Sequence, residues 1–203
     1  MPSIALPHDA NAGPTKPEVR AVVLSKLALA EDDHFVEVGS CTGAVTVEAA
    51  RRAGRVTALE RKADRLETTE KNLAANEASV RAAVELRNAD APAGLPDDAD
   101  ALFVGGSRNF EGVLDHAVET GVDRVIMNVS RLEVAGEATT AFRELDILEE
   151  VLQFQVSRGY ELAGATSFDS DNPVYVLVGS ATPDGNDDGE PTVAADGNGG
   201  DRR

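Results

Sequence analysis

The stretch His34-Phe35-Val36-Glu37-Val38-Gly39-Ser40-Cys41-Thr42-Gly43 reads as a buried strand that runs into a turn bracketed by glycines, and AVTVEAARRA (44–53) behind it has helical character. Strand, tight turn and helix in that order open an α/β unit. Small residues in the turn let the backbone approach a ligand. Amide groups at the start of the following helix favour a negatively charged group such as a carboxylate. Taken alone, a G-x-x-x-G turn fits a merely tight connection equally well.

Outward from that stretch, strand and helix patterns alternate. Upstream, PEVRAVVLSKLAL (17–29) puts Val19, Val22, Val23 and Leu27 on one helical face, with Pro17 suited to the first turn. Downstream come strands at RVTALE (55–60), AVELRNAD (83–90), DALFVGG (100–106) and DRVIMNV (123–129), and helices at ADRLETTEKNLAAN (63–76) and FEGVLDHAVETG (110–121). A helix at TTAFRELDILEEVL (139–152) then leads to strands LQFQVSR (152–158) and NPVYVLVG (172–179). The pattern predicts an α/β, doubly wound, mostly parallel seven-stranded Rossmann-like sheet, with ligands at the carboxyl ends of the strands near the switch point. The last strand follows a short connection and is expected to pair antiparallel with its predecessor. Three regions are expected: a flexible arm over 1–12, one domain over 13–180, and a disordered acidic tail over 181–203, where Gly, Asp, Asn and Pro replace any apolar face.

The 203 residues suffice for one domain with a real core. No apolar run approaches the roughly 20 residues of a membrane span, and MPSIALPHDANAG lacks the basic-then-apolar start of a secretory signal; a cytoplasmic location is expected. The single cysteine, Cys41, agrees with a reducing compartment. Acidic residues number 36 against 19 basic ones, for a formal net charge of −17, and only Lys16, Lys26, Lys62 and Lys71 are lysines. An acidic, lysine-poor surface suits a salt-adapted cytoplasm; an ordinary acidic protein exaggerated by its tail is the alternative. Such a field repels nucleic-acid backbones unless a local basic patch intervenes. The three histidines show no metal-ligand spacing and Cys41 has no partner cysteine, so no protein-bound metal is expected.

Glu60 ends the second strand, 21 positions after Gly39. That spacing is what an α/β unit needs to set an acid on ribose hydroxyls. A dinucleotide requires G-x-G-x-x-G at the turn, and position 41 is cysteine. The end of the third strand, Asn88-Ala89-Asp90-Ala91, offers a carboxylate and a backbone amide to an adenine edge, which favours S-adenosylmethionine instead. Asp90 reads equally well as a turn residue.

The segments GPTKPEVRAVVLSKL, VEVGSCTG, NADAPAGLPD, VGGS and SRGYELAGATSFDSDNPVYVLVG, in this order from Gly13 to Gly179, resemble the decarboxylating precorrin methyltransferases of cobalamin synthesis. The resemblance implies a class I methyltransferase fold. It also implies a homotetramer and transfer of a methyl group from S-adenosylmethionine to carbon 15 of cobalt-precorrin-6B, with loss of carbon dioxide from the carbon-12 acetate to give cobalt-precorrin-7. Cobalt would arrive inside the tetrapyrrole, and other corrin-pathway enzymes are candidate partners. Carried over by position, Thr15, the turn Gly39, Ser40, Cys41, Thr42 and Gly43, Glu60 and Ala91 would contact the cofactor, and the reading of the third strand end adds Asp90. Gly105, Gly106, Ser107 and Asn172 would face the tetrapyrrole, with Arg108, Arg131 and Arg158 as candidate partners for its carboxylates.

The chain departs from that family's pattern at two informative places: Cys41 stands where the middle glycine of the turn belongs, and Asp171 stands where an arginine can precede Asn-Pro. The strand end VGGSRNF lacks the Asn/Asp-Pro-Pro-aromatic run of amine methyltransferases, which favours a carbon acceptor. Two alternatives stay open: a methyltransferase for RNA or another small molecule, and a nucleotide-binding module without catalysis.

Overall fold

The computed structural model describes residues 3–10 and 13–182, so the tail expected after 182 lies outside the described residues. The chain runs α1 (Pro17–Leu27), β1 (His34–Val38), α2 (Ala44–Ala49), β2 (Arg55–Leu59), α3 (Ala63–Ala74), β3 (Ala83–Arg87), β4 (Ala101–Val104), α4 (Phe110–Thr120), β5 (Arg124–Val129), α5 (Leu132–Glu144), β6 (Leu148–Phe154), β7 (Ser157–Leu162), β8 (Ala165–Ser170) and β9 (Val174–Gly179). Seven strands form one sheet in the order β3-β2-β1-β4-β5-β9-β6. β1 to β5 are mutually parallel, and β9 lies antiparallel between β5 and β6. The expected doubly wound sheet with an antiparallel last strand is therefore present.

Period-2 alternation in the central strands feeds two cores. Phe35, Phe103 and Ile126 face α1 and α2 with Val19, Val23, Leu27 and Val45. Their neighbours Val36, Leu102, Val104, Val125 and Met127 face α4 and α5 with Val113, Leu114 and Phe142. A strand buried on both faces loses its polar alternation, and for that reason all five residues of β1 are buried. The chain order reverses between β1 and β4, which leaves a crevice at their carboxyl ends. Among the described residues, no helix is long and apolar enough to cross a membrane.

Three expectations change. The helix placed over 139–152 begins earlier, at Leu132, and ends at Glu144; Asp146 turns left-handed (φ 56°), and residues 148–154 form β6 instead. Glu149 and Val151 are exposed while Leu148, Glu150, Leu152 and Phe154 are partly covered, a two-residue period. The sixth strand therefore sits four residues before the expected 152–158. Second, the short connection to the last strand is a hairpin, β7–β8, turned by Ala163 and Gly164 with φ of 51° and 80°. Positive φ at both central residues matches the twist of the flanking strands.

Third, the described part of the N-terminal arm, residues 3–10, is hydrogen-bonded to α3. Asn76 exchanges two bonds with the main chain of Ala5, and Asn72 two with that of His8.

β9 enters between two strands through a gap with no room at its end. A Cβ on Gly179 would stand 2.1 Å from the Ile147 carbonyl oxygen and 3.2 Å from the Phe142 ring. Gly179→Ala is expected to lower stability by about 1–3 kcal/mol, read as a fall in Tm by calorimetry, whereas the same change at the open, helical Gly136 is expected to raise Tm slightly.

Candidate functional site

The crevice between β1 and β4 opens into a cleft of about 680 Å³. Two glycine turns floor it. A Cβ on Gly39 (φ 86°) would meet Gly106 N at 3.4 Å, and one on Gly105 would stand 3.4 Å from the Gly39 and Val38 carbonyl oxygens, whereas Gly106 has open space. The positive φ of Gly39 suits a glycine, and at Gly105 the Phe103 ring, 3.2 Å from a Cβ, leaves a side chain little room.

The first turn is held from three sides. Gly39 N and Ser40 N donate to the Leu59 carbonyl oxygen (2.8 and 3.1 Å), and Gly43 N closes the turn on Ser40 O (2.7 Å). The Gly39 and Ser40 amides are thus taken up by β2. Cys41 adopts a left-handed conformation (φ 54°), which costs a non-glycine residue about 1–2 kcal/mol. The backbone shape that the missing glycine would supply is therefore kept. The Cys41 amide donates to Glu60 Oε2 (3.3 Å).

Glu60 sits at the end of β2, 5% exposed, with Oε1 accepting from Lys62 N (2.9 Å). Its carboxylate lies in the cleft one strand over from the turn, as the spacing predicts.

Thr15, Gly39, Ser40, Cys41, Thr42, Glu60, Asp90, Ala91, Gly105, Gly106, Ser107, Arg108 and Arg131 all line the cleft. Gly43 does not line it; it caps α2 in a left-handed conformation. Asp90 accepts from Arg108 Nε (3.1 Å), so its carboxylate is ion-paired and not a bare turn residue.

Arg158 is not brought to the cleft. It lies on β7, where Nη1 pairs with Glu18 Oε1 at 3.0 Å. Asn172 also lies outside the lining, and its carbonyl oxygen accepts from Lys16 Nζ (3.2 Å). The same ammonium pairs with Asp171 Oδ2 (3.3 Å) and lines the cleft. Lys16 thus ties the segment before α1 to the residues that lead into β9.

Sequence reasoning passed over Glu37, the only charged residue of β1 apart from the ionisable His34. It is 2% exposed, lines the cleft, and accepts a hydrogen bond from Thr46 Oγ1. Burial pushes its carboxyl up to about 8, opposed by the Thr46 hydrogen bonds and reinforced by the Glu60 charge. An acid inside an otherwise apolar strand was the available signal. Lys16, Arg61 and Arg65 were likewise not proposed. With Arg108 and Arg131 they make five cations against the three acids Glu37, Glu60 and Asp90 on one cleft of a chain whose net charge is −17. Arg61, Arg65 and Arg131 have no ion pair among the described residues.

A profile of the precorrin methyltransferase domain matches residues 7–180. The chain is 79% identical over 184 residues to a probable cobalt-precorrin-6B C(15)-methyltransferase (decarboxylating) of Halobacterium salinarum, covering 91% of this chain and 97% of that one. Two solved structures share its architecture. The precorrin-8W decarboxylase of Methanobacterium thermoautotrophicum has a TM-score of 0.78 at 30% identity, over 88% of this chain and 99% of that one. The precorrin-6y C5,15-methyltransferase of Geobacter metallireducens has a TM-score of 0.77 at 30% identity, over 89% and 100%.

Because the folded Glu37 carboxyl holds its proton to about pH 8 and an unfolded one releases it near 4.5, the native state binds the extra proton between those values. Its contribution is therefore complete below pH 4.5 and lost as pH rises towards 8, at about 1.4 kcal/mol per unit. Denaturant titrations of the wild type and Glu37→Gln from pH 5 to 8 are expected to show this slope only in the wild type.

Proposed function

Since the chain belongs to the precorrin methyltransferase family, we propose that it methylates carbon 15 of cobalt-precorrin-6B from S-adenosylmethionine and releases the carbon-12 acetate carboxyl as carbon dioxide, giving cobalt-precorrin-7. One observation carries the reading: five cations gather on the cleft beside paired glycine turns in a strongly acidic protein. A tetrapyrrole with many carboxylates needs local cations, and such a cleft draws it in against the general field.

The residues fit the methyl donor. Glycines leave the floor bare, Glu60 offers a buried carboxylate for ribose hydroxyls, and Asp90 with Ala91 borders the place for an adenine. Glu37 suits the cationic end of the donor: a positive group beside a carboxyl held protonated by burial favours its ionised form. When bound, the donor supplies a methyl group on a sulfonium.

The protein's part is placement. Thr15, Ser40, Cys41 and Thr42 wall the donor side; Gly105, Gly106 and Ser107 leave a flat opening for the macrocycle, with Ser107 able to donate to a substrate carboxylate. Alignment of this kind is worth roughly 7–11 kcal/mol in favourable cases, so no strong base is required. Arg108, Arg131 and Lys16 are assigned to the substrate carboxylates. Withdrawal of the carbon-12 acetate from water favours loss of its carboxyl, with the electron pair accepted by the conjugated ring.

The methyltransferase domain is residues 13–180, in a salt-adapted cytoplasm, with cobalt entering as part of the substrate and no metal held by the protein. The assembly is a homotetramer, a reading supported by the β7–β8 hairpin, which exposes Tyr160, Leu162 and Phe168, the last at 67%. Light scattering is expected to give four copies for the wild type and fewer for Phe168→Asp.

The decisive experiment incubates the protein with methyl-labelled S-adenosylmethionine and cobalt-precorrin-6B. A product that gains one methyl and loses carbon dioxide is expected. Label on RNA and none on the tetrapyrrole would overturn the assignment.

A further inference from the structure

α3 turns a narrow polar stripe inward: Thr69, Asn72 and the following Asn76, which are 0%, 0% and 6% exposed. Spacings of three and four residues put them on one face. Buried polar groups must be matched, and these are matched to the main chains of two separate segments. Towards the cofactor turn, Thr69 Oγ1 donates to the Cys41 carbonyl oxygen (3.1 Å) and Asn72 Nδ2 to that of Thr42 (2.8 Å). Towards the N-terminal segment, Asn72 Nδ2 donates to His8 O (2.8 Å) while its Oδ1 accepts from His8 N (3.0 Å). Asn76 repeats the exchange with Ala5 at 2.7 and 3.0 Å. Within this stripe, Asn72 alone touches both segments.

Two consequences follow from these bonds. A held carbonyl fixes its peptide plane and turns the next N–H to the opposite side. With Cys41 O drawn to α3, the Thr42 amide is turned away from α3, and Thr42 lines the cleft. The clasped segment also leads directly into the cleft wall: Gly13 N donates to Ala10 O (2.7 Å), and Gly13, Pro14, Thr15 and Lys16 line the opening.

We propose that Asn72 is a positioning residue that couples the N-terminal strap, residues 3–10, to the cofactor turn, so that docking of the strap and binding of S-adenosylmethionine strengthen one another. The proposal rests on the cofactor reading above. Coupling between two binding events is reciprocal, and it can therefore be read from either end.

The experiment uses the full chain. Calorimetric titration with S-adenosylmethionine is paired with amide hydrogen exchange at Ala5 and His8. Saturating cofactor is expected to slow exchange at both amides. His8→Pro removes the N–H donated to Asn72 while leaving the cleft untouched, and it is expected to raise the Kd about tenfold. Asn72→Ala should raise it further, and both variants should raise KM for the cofactor with little change in kcat. If Asn72→Ala fails to fold, His8→Pro still decides. Binding to the wild type with unchanged exchange at Ala5 and His8, together with wild-type affinity in His8→Pro, overturns the coupling and leaves the cofactor reading intact. No binding to the wild type removes both.

Discussion

The carboxyl ends of β1 and β4 part company: β2 and β3 build outward on one side, and β5, β9 and β6 on the other. No helix can cover both turns at that divide, so the sheet leaves a gap there whatever its side chains are. Everything at the site follows from filling that gap at close quarters. Gly39 and Gly105 hold their backbones within van der Waals reach of each other, and the space above them is what remains for a ligand. The cost appears as local strain at Cys41, whose positive φ lies between two glycines that adopt the same region freely.

Charge then gives the gap its selectivity. A surface rich in carboxylates suits concentrated salt, where screening shortens the reach of each charge to a few ångströms. The same surface is hostile to an anionic substrate, and the protein meets that conflict by placement: arginines from the ends of β2, β4 and β5 and from the first turn of α3, with a lysine from the segment before α1, converge on one opening.

Much of this could be read from the residues. Glu60 falls where the spacing from Gly39 requires, and the glycine turns line the cleft as expected. The failures have definite causes. Leu145, Leu148 and Leu152 fit a helical period as well as Leu148, Leu152 and Phe154 fit a strand, and the helix reading therefore absorbed β6. The strap was legible only from α3, because Asn72 and Asn76 bind its main chain; contacts to backbone leave no pattern in the residues that make them. Arg158 has the right charge, but the hairpin carries it to Glu18, and only the register of β7 against β8 reveals that.

That hairpin contributes no side chain to either hydrophobic core. Its sequence is thereby free of the packing constraints that those two cores impose on the rest of the chain. Because the hairpin is inserted between β6 and β9, its exposed face can vary without disturbing the sheet that frames the cleft.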